Sequence, residues 1–260
     1  MSPGRSPPQE LLEPGSGNAD YQWTEFDPEI YFQQYYGEPH PDDTRVIPFA
    51  VEAMKCAAPA GAELDVVDVG TGSNLIPLFC ALPRARSLTV WEYSESNIAW
   101  LKAEMLRDKM RPQWRHFWEA ARSAYQPEYR LPEDPMPGLR AKCIMRQGSI
   151  FELPERAWDA ATMFFCAESI TSRQSEFEAA CAAYARSVKP GGTLLAAFLV
   201  RSKGYVVGDR PFPGLNLSVA AIEHVFGRHV HDMKTEPMGL VDKEIRSGYS
   251  GFVFLTGIAR

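Results

Sequence analysis

Two acidic residues flank a glycine pair in this chain, and their spacing suggests a chemistry. Asp68 stands two residues before Gly70 in the stretch LDVVDVGTGSNL (Leu64–Leu75), and Glu92 lies at the end of a second apolar run, SLTVWEY (Ser87–Tyr93). Val66, Val67 and Val69 are β-branched and read as a strand, which breaks at Gly70 and Gly72 before a helical pattern resumes. Glycines at that point let the backbone turn where a Cβ would clash, and they bring the main chain close to a ligand. An acid ending the next strand, about 20 residues on, is placed to accept hydrogen bonds from both hydroxyls of a ribose. The expected chemistry is recognition of a nucleoside. The plainer alternative is an ordinary strand–helix turn whose glycines only relieve strain.

A dinucleotide site adds a third glycine that packs the helix tightly on the strand. Leu75 occupies that position here, which argues against an NAD-type oxidoreductase. The pattern Asp68-x-Gly70-x-Gly72 instead resembles motif I of the Rossmann-like S-adenosylmethionine (SAM) methyltransferases, whose cofactor carries no phosphate. That resemblance implies SAM as cofactor and S-adenosylhomocysteine as product. It also implies that the amides of Ser73 and Asn74, opening a helix over Ser73–Leu82, face the methionine carboxylate, where the helix dipole favours negative charge.

The elements that must hold these residues follow in order. Residues 1–19 are rich in Pro, Gly, Ser and Glu, and are expected to form a flexible leader. Tyr21–Tyr36 then carries seven aromatics in 16 positions, with Asp27 as a helix cap and Pro28 at the first helical position. Tyr31 and Tyr35 share one face and Phe32 and Tyr36 another. This segment reads either as a lid with tyrosine hydroxyls as polar tips or as an aromatic helix docked on the core. Helices are expected at Thr44–Ala57, Ser94–Arg107, Ser175–Val188 and Ser218–Phe226, and strands at Ala141–Gln147, Trp158–Cys166, Thr193–Val200, His229–Thr235 and Gly251–Ile258. Residues 110–140 read as a helix-containing insertion ending in an exposed loop, because four prolines and Gly138 interrupt its pattern. His229 and His231 would share a strand face, but with no third ligand nearby, packing or solvent is the better reading than a metal.

Four blocks make the resemblance specific. FDPEIYFQQYYGEPHPDD, DVGTGSN, WEYSESN and FFCAESI occur in the order and spacing of the NNMT/PNMT/TEMT family, the nicotinamide, phenylethanolamine and thioether/indolethylamine methyltransferases, from about Tyr21 to the C-terminus. The resemblance implies an α/β, Rossmann-like class I methyltransferase: a seven-stranded, mostly parallel sheet, helices on both faces, and an N-terminal helical lid (20–60). The whole of 20–260 then forms one SAM-dependent domain, with an acceptor-pocket hairpin at 201–216. Carried over residue by residue, Tyr31 and Tyr36 sit at the cofactor, Tyr31 also as a catalytic candidate and Tyr36 also at the acceptor, and Trp23, an acceptor contact, falls where relatives tend to have Tyr. Asp68, Gly70, Thr71, Gly72, Asn74, Glu92, Tyr93 and Asn97 form the cofactor cradle, with Cys166 packed against it rather than acting as a nucleophile. Gly148 and Ser149 replace the Asp-Val pair with which relatives hold adenine. Tyr205 and Phe212 belong to the acceptor wall.

Glu168, after an apolar run, is expected half-buried at a strand end, where it anchors the acceptor or receives its proton. The plainer reading is a neighbour of a helix cap on a solvated loop. Two further acids that hold a cationic amine in relatives are absent: Ser202-Lys203 and Ser247-Gly248-Tyr249 stand there. An aromatic or indole-type acceptor, methylated at nitrogen or at a nucleophilic ring carbon, therefore fits better than a catecholamine-like amine. A non-catalytic SAM-binding protein is the alternative from another class. In-line methyl transfer needs little covalent help, and proximity and orientation can supply about 7–11 kcal/mol of its barrier.

Composition bounds the rest. The chain has 260 residues, a net charge of −6 and no long Lys/Arg run, which argues against a nucleic-acid partner. No stretch reaches the roughly 18–20 apolar residues of a membrane span, and the N-terminus lacks a basic region followed by an apolar core. Five scattered cysteines form no C-x-x-C pair, so neither zinc nor a disulfide framework is indicated, and a cytoplasmic setting is expected. Nothing in the sequence specifies an oligomeric state.

Overall fold

Seven strands form one sheet in the order β3-β2-β1-β4-β5-β9-β8. The computed structural model describes residues 15–38, 41–239 and 248–260. In chain order the elements are α1 (Pro28–Tyr36), α2 (Pro41–Cys56), β1 (Leu64–Val69), α3 (Ile76–Ala81), β2 (Ala85–Glu92), α4 (Glu95–Met105), α5 (Pro112–Tyr125), α6 (Met136–Lys142), β3 (Cys143–Gln147), β4 (Trp158–Phe164), α7 (Gln174–Ser187), β5 (Val188–Val200), β6 (Tyr205–Val207), β7 (Arg210–Phe212), α8 (Val219–Phe226), β8 (Val230–Met238) and β9 (Gly251–Ala259). The first five strands of the sheet pair in parallel, and β9 runs antiparallel to both β5 and β8. A separate two-stranded hairpin joins β6 to β7.

The alternation of side chains builds a core on each face. Val66, Leu88, Val90, Leu195 and Phe254 pack beneath side chains of α1 to α6, while Val67, Val69, Leu194, Phe198 and Leu255 pack against α7 and α8. Parallel strands buried on both sides read as continuous apolar runs, which is why β1 was legible without a clear period. The expected seven-stranded, mostly parallel sheet with helices on both faces is thus present.

Several local expectations change. The first sheet helix begins at Ile76, not Ser73. The Asn74 amide donates to the Thr71 carbonyl, and its side-chain oxygen accepts the Ile76 amide, so residues 71–74 form a turn before the helix. The amides of Ser73 and Asn74 are therefore not helix N-terminal donors. The Pro-rich end of the 110–140 segment carries α6, with Met136 and Leu139 buried, rather than only an exposed loop. Pro137 lies in the first turn, where its missing N–H costs nothing. The turn Lys189–Gly192 lies inside β5 as an irregularity: Val188 pairs with Trp158, and regular pairing resumes at Thr193 opposite Ala160. His229 precedes β8, and the exposed His231 pairs with Asp232, so the two histidines share no site. Of the expected leader, residues 1–14 lie outside the described residues. Residues 15–19 are docked: Ser172 donates its amide to the Ser16 carbonyl, and the Asn18 amide donates to the Glu176 carboxylate at 2.7 Å.

Candidate active site

The carboxyl ends of β1, β2, β4 and β5 open into a cavity, the place where open α/β sheets bind ligands. Gly70 and Gly72 form its floor, at φ +67° and +56°. A Cβ on Gly70 would sit 2.2 Å from Cys166 Sγ, so the close approach demands glycine as well as the dihedral. Beneath this loop lies Asp68, whose carboxylate accepts the hydroxyls of Thr71 (2.6 Å) and Thr162 (2.5 Å). Burial pushes Asp68 up to about 7 against those two hydrogen bonds. Asp68 does not line the cavity; it fixes the loop that does.

Glu92 is aimed by its neighbours. One carboxylate oxygen accepts the Gly72 amide (2.8 Å), and the other accepts the Ser94 amide (2.8 Å) and the Asn97 side-chain amide (3.3 Å). Its side chain is buried and lines the cavity. Two further lining residues carry buried polar atoms with no partner, Ser73 Oγ and Asn97 Oδ1. Buried polar atoms are rarely left unpaired in folded proteins, so these two mark where a polar ligand completes the network.

The roof comes from the N-terminal segment. Ser94 and Ser96 donate their hydroxyls to the carbonyls of Trp23 (3.2 Å) and Phe26 (2.9 Å). Glu29 binds Arg111 through both oxygens (2.7 and 2.8 Å) and accepts the Trp100 indole N–H, fixing α1 to α4 and α5. That ion pair holds Glu29 at about 2. Glu25 pairs with Arg210 on the hairpin. Tyr31 centres an aromatic cluster, its ring 4.5 Å from Tyr35, 6.3 Å from Tyr36 and 6.1 Å from Tyr205. Burial raises Tyr31 and Tyr205 well above the usual phenol range, so both stay protonated and donate rather than act as bases.

Of the sequence-derived residues, the cavity gathers Trp23, Tyr31, Tyr36, Gly70, Thr71, Gly72, Asn74, Glu92, Tyr93, Asn97, Gly148, Ser149, Cys166 and Tyr205. It does not gather Asp68, Glu168 or Phe212. Phe212 stacks behind Tyr205 (5.4 Å) and Trp23 (5.4 Å). Glu168 is fully buried rather than half-buried, and one of its oxygens accepts the Leu199 amide at 2.7 Å while the other has no partner. Asn18, Tyr35, Trp91, Ser202, Tyr249 and Phe252 line the cavity without having been singled out. Tyr35 was visible, one turn from Tyr31; Tyr249 was read only for the carboxylate it is not.

A model of the NNMT/PNMT/TEMT family matches residues 139–251, which span β3 to the start of β9 and include the cavity residues Gly148, Cys166 and Tyr205. Over that segment the chain is similar to this family. Human nicotinamide N-methyltransferase is 22% identical over 224 residues, 82% of this chain and 84% of that protein. Mouse indolethylamine N-methyltransferase is 23% identical over 218 residues, 80% and 82% of the two chains. Among solved structures, the N-methyltransferase NodS from Bradyrhizobium japonicum, in complex with S-adenosylhomocysteine, superposes with a TM-score of 0.53 at 9% identity, covering 89% of this chain and 96% of that one. Magnesium protoporphyrin IX methyltransferase from Synechocystis, with SAM bound, gives a TM-score of 0.51 at 14% identity, covering 88% and 90%. The fold is the class I methyltransferase fold, and the protein is a SAM-dependent methyltransferase. The glycine floor and the unpaired Ser73 and Asn97 atoms fit that cofactor. No described helix is long and apolar enough to cross a membrane.

Glu168 supplies a pH prediction. Burial lifts it from 4.5 to about 8, against the Leu199 amide that favours the charge. Between those values the unfolded chain has released a proton that the folded chain keeps, so stability falls as pH rises through this window. Asp68, lifted from 3.8 to about 7, acts in the same direction. Glu168→Gln, neutral and isosteric, is expected to be more stable than wild type at pH 8.5 by roughly 2 kcal/mol or more, with little difference at pH 4.5. Urea midpoints at the two pH values check this; equal slopes in both proteins would count against it.

Proposed function

We propose that the enzyme methylates a small, neutral aromatic acceptor, at an aromatic nitrogen or at a nucleophilic ring carbon of the indole kind. One observation carries the reading. Trp23, Tyr31, Tyr35, Tyr205, Tyr249 and Phe252 give the cavity an aromatic lining, and Glu92 is the one charged lining side chain among the described residues. An ammonium buried there without a carboxylate would be costly, which disfavours a catecholamine-like amine. A pyridine-type nitrogen keeps its lone pair available at pH 7 and loses no proton on methylation, whereas a ring carbon of the indole kind releases its ring proton to solvent after the transfer.

SAM supplies an electrophilic methyl group on its sulfonium. Glu92 accepts the ribose hydroxyls, with Asn97 beside it. Thr71, Ser73 and Asn74 meet the amino-acid end, over the Gly70–Gly72 floor that Asp68 fixes from below. Tyr93, Gly148 and Ser149 frame the base, and Cys166 packs beneath the loop. Tyr31 and Tyr36 close the cavity and exclude water, while Trp23 and Tyr205, backed by Phe212, flank the acceptor ring. Glu168 positions the end of β5 through the Leu199 amide rather than exchanging a proton with the acceptor. All five cysteines are free, which suits a reducing compartment, and we assign the enzyme to the cytoplasm.

The test is transfer of labelled methyl from SAM to a panel of indoles, pyridines, aromatic amines, phenols and carboxylic acids. Labelled product from a neutral aromatic nitrogen or an indole is expected. Methylation only of hydroxyl or carboxyl compounds would overturn the reading.

A further inference from the structure

We infer that the edge of the cofactor site facing the purine does not read the substituent at its 6-position, and that Trp91 and Gly148 set this together. The inference rests on the cofactor placement above, with Glu92 at the ribose and residues 148–150 beyond it. Trp91 precedes Glu92 on β2 and lines the same cavity. Its indole lies against Gly148: a Cβ there would stand 2.5 Å from Trp91 Cζ2 and 2.7 Å from Cε2. The indole is itself held, donating its N–H to the Ser149 carbonyl at 3.0 Å and packing edge-on against Trp158 at 6.1 Å. No side chain at 148 can enter while Trp91 keeps this position. Position 148 therefore offers no side-chain carboxylate or amide oxygen to accept a hydrogen bond from an exocyclic amine.

What remains at the edge is mostly spoken for or can both donate and accept. The Gly148 amide bonds the Glu92 carbonyl at 3.0 Å, and the Ser149 carbonyl takes the indole N–H. Ser149 Oγ accepts the Phe151 amide at 3.3 Å and keeps a second lone pair and its own proton, so it can accept from a 6-amine or donate to a 6-oxo group. Such an edge can serve a 6-amine or a 6-oxo group alike. It has no means of rewarding the amine over the oxo group, whereas a site built to hydrogen-bond one group rejects analogues that lack it by orders of magnitude. The binding energy then comes from Glu92, the glycine floor and stacking, all blind to the 6-position.

Calorimetric titration of the wild-type protein with S-adenosylhomocysteine and S-inosylhomocysteine tests this without turnover. The two dissociation constants are expected to agree within tenfold. A preference for the adenosyl form of tenfold or more would overturn the inference. Failure to bind S-adenosylhomocysteine at all would instead overturn the cofactor placement on which it rests. The double variant Trp91→Ala with Gly148→Asp makes room for an acceptor at the edge. It is expected to acquire a preference of tenfold or more for the adenosyl form; a variant that binds both forms equally would refute the assignment of these two positions to the base edge.

Discussion

Glu92→Ala should weaken S-adenosylhomocysteine binding by about 100-fold, or about 3 kcal/mol, measured by titration calorimetry. The effect exceeds one lost contact because Glu92 does two jobs. Toward the cavity it presents a buried carboxylate. Toward the protein it satisfies the amides of Gly72 and Ser94 and the side chain of Asn97. Truncation leaves those donors unpaired in a buried place, and it frees the Gly72 end of the glycine floor, leaving only the Gly70 amide bonded to the Trp91 carbonyl of β2. Glu92→Gln should be almost as damaging, although it is isosteric. Both carboxylate oxygens accept a backbone N–H at 2.8 Å, so whichever way the amide is turned, its NH2 group meets a donor. A glutamine variant that binds within threefold of wild type would mean that the carboxylate is not the ribose anchor.

This double duty explains what was legible in the sequence. Asp68, Gly70, Gly72 and Glu92 are separated by short, fixed intervals in one strand–turn–helix–strand unit, and local spacing is what a sequence displays best. Apolar runs gave the parallel strands for the same reason. The roof was legible in composition but not in contact: seven aromatics between Tyr21 and Tyr36 announced a packed segment, yet only the fold shows Tyr31 beside Tyr205 and Ser94 reaching Trp23. Trp91 stayed invisible because strand alternation opposes it to Glu92, while its role depends on Gly148, 57 residues away on β3's exit. Glu168 misled for a related reason. The end of an apolar run was read as a half-solvated position, but β5 and the chain near Leu215 cover it, and the carboxyl is closed off behind Leu199.

Gly70→Ala should abolish cofactor binding, with at least a 100-fold loss of affinity for S-adenosylhomocysteine, while Gly61→Ala should leave it unchanged. The pair separates two costs that substitution of a glycine usually mixes. Both residues have left-handed backbone, φ +67° at Gly70 and +85° at Gly61, so both variants carry the dihedral strain of about 1 kcal/mol. Only Gly70 is crowded. Its added Cβ would meet Cys166 Sγ at 2.2 Å and Cys166 Cβ at 2.8 Å, whereas nothing lies within 4 Å of a Cβ at Gly61. The Cys166 backbone cannot yield easily, since the residue is buried and follows Phe165, itself at φ +58° with its amide bonded to the Ala197 carbonyl at 2.7 Å. The floor must therefore rise into the cavity, and it pulls the Gly72 amide away from Glu92 as it does so. Thermal melts read the shared strain in both variants, and calorimetry reads the binding loss in one. Replacing Cys166 by Ala in the Gly70→Ala background should recover little, because the 2.8 Å contact to the 166 Cβ persists. Full recovery would show that the sulfur alone, and not the close approach of the two chains, sets the floor.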